Sequence, residues 1–146
     1  MTEQTEQIGF SLEVDDEGWP PIGWEWLHAT KTDVGLKIES LPLFVKDISV
    51  FDVIRVELND ERIVTRWSHV GKSKRSVVWI MTYGNYDADF ALQALRELGC
   101  NTESLKSFKY YAVDVPAEIH FDGVDHVLES LDKNMSAVAF PSFRHE

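Results

Sequence analysis

The hydrophobic period of the chain changes once, near residue 84, and that change limits the possible folds more than any other feature. Before it, short runs of β-like pattern occupy residues 8–14, 24–30, 35–39, 52–58, 63–70 and 76–83. Turn formers such as Thr32-Asp33-Val34-Gly35 and Asn59-Asp60-Glu61 separate them, as in consecutive hairpins. After it, Phe90, Ala91, Ala94, Leu95 and Leu98 predict a helix over 87–98, with Asp87 as its cap and Gly99 as its stop. Val124, Val127, Leu128 and Leu131 predict a second helix over 122–132, opened by Asp122. Residues 108–115 read as a strand ended by Pro116, and 137–140 as a last short strand. The expected class is α+β, with a small antiparallel β-barrel or curved sheet followed by a β-α-β-α-β two-layer sandwich.

A chain of 146 residues can bury a core without staples. Residues 1–7 are polar and acidic and read as a disordered tail, and 8–146 as a single α+β domain with two lobes, about 8–75 mostly β and about 76–146 β-α-β-α-β. The polar start lacks the features of a secretory signal, no apolar run approaches the length of a membrane span, and Cys100 has no cysteine to pair with. A cytoplasmic location is expected.

The net charge of −11 argues against nucleic acid and anionic membranes as partners. Residues 1–60 carry 13 acids against 4 bases, residues 61–80 carry 1 against 5, and residues 81–146 carry 11 against 5. One basic segment therefore sits in an acidic protein.

No motif selects a reaction. Gly71-Lys72-Ser73 has the tail of a phosphate-binding loop, but Arg66 stands where that loop needs glycine, and a β-like run follows. Cys100 follows Gly99 at the negative end of a helix, which disfavours a thiolate and fits a buried packing residue. His120, Asp122 and His126 can approach one another at a helix start, yet no histidine pair has metal-ligand spacing, and no metal or cofactor is expected. Asp15-Asp16-Glu17 lacks the alternating ligands of a calcium loop and reads as a solvated turn.

The stretch Asp15 to His28 holds three tryptophans and two prolines. Pro20-Pro21 keeps this segment out of a central strand. On a strand, Trp24, Trp26 and His28 share one face, and Glu25, Leu27 and Ala29 the other. The tryptophan face can close the core or line a cleft. Closure is the preferred reading, because aromatics supply much of a small domain's buried area.

Gly18-Trp19-Pro20-Pro21 with Trp24-Glu25, then Leu41-Pro42-Leu43-Phe44-Val45 with Asp52-Val53-Ile54-Arg55-Val56-Glu57, then Leu95-Arg96-Glu97-Leu98-Gly99-Cys100 and Ala112-Val113-Asp114-Val115-Pro116 occur in order. This series resembles the bacterial family catalogued as domain of unknown function 4265, over about residues 10–116, with a weaker echo near His145. It departs at Phe51, where the family has glycine, and at His69-Val70-Gly71-Lys72-Ser73-Lys74-Arg75, where the family has a serine-glycine-histidine-serine-threonine stretch. The resemblance implies a small, soluble, acidic bacterial protein and brings no catalytic residue with it.

The first functional reading is a non-enzymatic binding protein of the immunity type. It neutralises a cognate toxin or other basic protein, and its partner-binding residues are Asp15, Asp16, Glu17, Trp19, Trp24 and Trp26. The second is a small-ligand sensor or regulatory module, in which Trp24, Trp26 and the basic segment from Arg66 to Arg75 hold an anionic metabolite. The third is an enzyme whose histidines and carboxylates meet only on folding.

Overall fold

The computed structural model describes residues 5–145. The chain divides between Ser73 and Lys74 into two compact units, each with its own sheet. The first holds β1 (Thr5–Ser11), β2 (Trp24–Lys31), β3 (Leu36–Ile38), β4 (Val53–Leu58) and β5 (Val64–Gly71), paired antiparallel in chain order. β1 begins at Thr5, inside the expected tail; residues 1–4 lie outside the described residues.

Turn chemistry sets this meander. The Thr32 hydroxyl donates to the Gly35 carbonyl and accepts from the Gly35 N–H, closing the β2–β3 hairpin. Asn59 Oδ1 accepts from the N–H groups of Glu61 and Ile63 to turn β4 into β5. The sheet curls until β1 meets the start of β5 at a single bridge, Gly9 to Ile63, but it does not close into a barrel. A Cβ on Gly9 would lie 2.6 Å from Ile63 Cδ1 and 3.1 Å from Trp26 Cζ3, so only glycine permits both approaches. Ile8, Phe10, Leu27, Ala29, Leu36, Ile38 and Ile54 fill the concave face.

The second unit runs β6 (Ser76–Thr82), α1 (Asp89–Glu97), β7 (Asn101–Leu105), a 3-10 turn (Lys106–Phe108), β8 (Tyr110–Val115), α2 (Phe121–Glu129) and β9 (Ser136–Ser142). The antiparallel sheet has the order β7-β8-β6-β9, so this is the split β-α-β-β-α-β, ferredoxin-like arrangement. It contains one strand more than the sequence pattern predicts. β7, Asn-Thr-Glu-Ser-Leu, is a polar edge strand with no apolar alternation to reveal it.

Val78 and Ile80 of β6, with Tyr111, Val113 and Val115 of β8, share a core with Ala91, Leu92 and Leu95 of α1 and Val124 and Leu128 of α2. The stripe of α1 is rotated from its predicted position: Leu92 is buried, whereas Phe90 and Leu98 are exposed. Asp122 lies inside the first turn of α2, and His120 occupies the cap position. No helix among the described residues is long and apolar enough to cross a membrane.

Candidate functional site

β2 alternates as the sequence predicts, but the buried face is the opposite one. Glu25, Leu27 and Ala29 point into the core, whereas Trp24 (56% exposed) and Trp26 (42% exposed) point outward with His28. The expectation that the tryptophans close the core is therefore corrected. The reason lies in Glu25. Its Oε1 accepts from the N–H groups of Phe44 and Val45, both at 2.9 Å, and its Oε2 from that of Leu43 at 2.6 Å. A carboxylate with three backbone donors can occupy an inward position that an isolated charge could not. The Trp26 ring then covers Gly9 on the outer surface, and His28 meets Gln7 beside it.

The β1–β2 connection carries the acidic turn to the end of this aromatic strip, where Leu12 N–H donates to the Gly23 carbonyl. Asp15 Oδ1 accepts from the N–H groups of Glu17 and Trp19, both at 2.9 Å, so Asp15 shapes the turn. Trp19 packs edge-on against Phe44, on the loop that Glu25 holds, with ring centroids 5.7 Å apart. Of the six residues expected to meet a partner, Asp16, Glu17, Trp24 and Trp26 form the outward surface, and Asp15 and Trp19 organise it.

The basic segment largely pairs with acids of the same chain. Arg62 bonds Glu6 at 2.9 Å, Arg66 approaches Glu57 at 3.9 Å, and Arg75 grips Asp114 through two nitrogens. His69 Nε2 lies 3.0 Å from Asp52 Oδ2. Asp52 is fully buried and also accepts from the N–H groups of Ser49 and Ser73. Gly71-Lys72-Ser73 is thus tied to a carboxylate, the opposite of a phosphate cradle. Lys72 and Lys74 have no ion pair among the described residues.

In the second unit, burial and the Asp114 carboxylate push the Cys100 thiol up to about 11. His120 approaches Asp122 at 3.5 Å in full solvent, and no group of three or more metal-ligating side chains assembles among the described residues. A cavity of about 390 Å³ at the start of α2 has Lys74 and Arg144 on its walls, with Glu118 and Asp122 in opposition. Ser76 and His145 form a pair, 2.6 Å between Oγ and Nδ1, but Ser76 is fully buried and His145 Nε2 is held by the Pro116 carbonyl. This pair fastens the last residues to β6.

Glu25, Asp52 and Asp114 are the buried acids among the described residues, and sequence reasoning passed over all three. A signal for Glu25 exists: it shares a strand face with Leu27 and Ala29, which marks it as inward if that face is the apolar one.

A family model described as "Domain of unknown function (DUF4265)" matches residues 25–138. A crystal structure described as a hypothetical protein from Neisseria gonorrhoeae is similar over 98% of each chain, with a TM-score of 0.75 and 16% identity. That likeness is one of fold. No curated protein matches the chain. Phe51, where the resemblance has glycine, adopts φ 71°, so the backbone there needs the left-handed conformation glycine favours.

Proposed function

The chain belongs to the DUF4265 family, and from that premise we propose that this member is a cytoplasmic binding protein of the immunity type, which neutralises a basic protein toxin by covering it. One observation carries the reading: two tryptophans stand outward on a rigid strand beside an ordered acidic turn. Large aromatics within a charged rim form the kind of patch that dominates protein interfaces. The rim is set by backbone geometry, so little order must be created on binding. The charge of −11 speeds approach to a basic surface and repels the nucleic acid such a toxin would act on. This function needs no catalytic group.

The test is co-expression with the toxin-sized product of a neighbouring gene. The protein should relieve that product's toxicity, and the W24S/W26S double variant should not, while its circular dichroism spectrum shows that it still folds, since neither ring belongs to the core of the first unit. Relief by the double variant equal to the parent's, or no relief by the parent, would overturn the proposal.

A further inference from the structure

Thr82 ends β6 and follows Val78 and Ile80 on the side of the sheet that faces the helices. It is 3% exposed, and its Oγ1 is the one buried side-chain polar atom without a hydrogen-bond partner among the described residues. Folded proteins rarely leave such a group unmatched, because it gives up water and gains nothing in return. Thr82 lines an open cavity of about 360 Å³, formed where the end of β6 and the start of β8 meet the loop into α1. Tyr111 of β8, also on the helix side, lines the same cavity, and its hydroxyl has no partner among the described residues either.

The walls carry charge of both signs. Asp87 and Asp89 stand on the α1 side, and Lys106 and Lys109 on the 3-10 turn and its left-handed end. None of the four forms an ion pair among the described residues. The rim is held by other bonds. Lys109 Nζ donates to the Gly84 carbonyl, the Tyr86 hydroxyl accepts from Asp132 N–H at 2.9 Å, and Asp87 Oδ1 accepts from Asp89 N–H at 2.9 Å. Opposite charges that share a cavity without closing on each other suit a ligand that carries both. An anion would meet the two aspartates and a cation the two lysines, whereas a zwitterion satisfies each wall.

We propose that this cavity binds a free α-amino acid with a short polar, uncharged side chain. Its ammonium group lies toward Asp89 and its carboxylate toward Lys106. Its side-chain hydroxyl or amide lies toward the floor, where it supplies the missing partner of Thr82 Oγ1 and of the Tyr111 hydroxyl. The volume is at the small end of the roughly 300 to 1,000 Å³ of ligand sites, which fits a molecule of about ten heavy atoms. So few atoms in an open site give an expected dissociation constant of about 0.01 to 1 mM. The cavity lies wholly within the second unit, so it stands independently of the toxin-binding reading.

Isothermal titration of the full chain with L-serine, L-threonine and L-asparagine, each to about 10 mM, tests this. At least one should bind in that range. Its N-acetyl and carboxamide forms, which each lack one charge, should bind at least about tenfold more weakly. Asp89 and Lys106 are exposed, so Asp89→Asn and Lys106→Met should fold, and each should weaken binding about three- to tenfold. Thr82→Val removes a hydroxyl that has no partner in the free protein, so it should raise the melting temperature and yet weaken binding, opposite shifts that a merely structural threonine would not give. Binding of none of the three amino acids, equal binding of an N-acetyl form, binding unchanged in both Asp89→Asn and Lys106→Met, or tighter binding of acetate or inorganic phosphate would overturn the proposal.

Discussion

Replacing Glu25 by glutamine should cost far more than the exchange of one oxygen for an NH2 group suggests. Glutamine can keep its oxygen against the N–H groups of Phe44 and Val45, but its amide nitrogen then faces Leu43 N–H, donor against donor, across a gap that is 2.6 Å in the parent. One charge-assisted bond is lost, about 1.5 to 3 kcal/mol, and one donor is left unmatched, about 1 to 3 kcal/mol. Relief from burying a charge offsets part of this, leaving a loss of roughly 2 to 4 kcal/mol. At about 3 °C per kcal/mol for a chain of this size, the melting temperature should fall by roughly 6 to 12 °C. Urea unfolding followed by tryptophan fluorescence is suitable, because Trp19, Trp24, Trp26 and Trp67 all lie in the first unit.

The pH dependence has a definite sign. Burial raises the Glu25 carboxyl above 4.5, against the downward pull of its three backbone donors. The folded state then holds this proton more tightly than the unfolded state, so the contribution is largest below 4.5 and is lost as pH rises through the folded value. The advantage of the parent over Glu25→Gln should therefore grow as pH falls from 7 toward 4.5. A loss under about 1 kcal/mol at pH 7, or an advantage that shrinks on acidification, would refute the account of this loop.

At Phe51, with φ 71°, Phe51→Gly should be more stable than Phe51→Ala by about 1 kcal/mol, the reverse of the usual order, as chemical denaturation of the pair can show. Cys100, with its thiol near 11, should be about one part in a thousand thiolate at pH 8, so native protein should react with a disulfide reagent only at its opening rate; rapid labelling would contradict its burial. Asp114→Asn should cost about 3 to 5 kcal/mol by leaving Arg75 partly buried without its countercharge, and Arg75→Met should partly rescue it in a double-mutant cycle.

Much of this molecule is legible from alternation alone. β2 shows where that stops. The pattern separates Trp24 and Trp26 from Glu25 and Leu27, but says nothing about which set faces the core, because a carboxylate is costly inside only when it lacks donors. The donors here come from Leu43, Phe44 and Val45, 18 to 20 residues away. The acidic turn was similarly visible as a turn, whereas the role of Asp15 as its organiser depends on two backbone bonds that only the folded loop reveals. β7 was missed because an edge strand needs no apolar face, and α1 was misaligned because Phe90 and Leu98 are apolar but lie at the margin of its stripe.

The strand orders also imply a sequence of events during synthesis. In the first sheet every strand pairs with the one just before it, so each hairpin can form as it leaves the ribosome. In the second, β6 lies between β8 and β9 and must wait for residues 110–115 on one side and 136–142 on the other. Until then Ser-Val-Val-Trp-Ile-Met-Thr, almost wholly apolar, has two open edges. A nascent chain paused before residue 110, with both edges of β6 still open, is in its most aggregation-prone state, and a chaperone acting on this protein would have most to gain by covering that one strand.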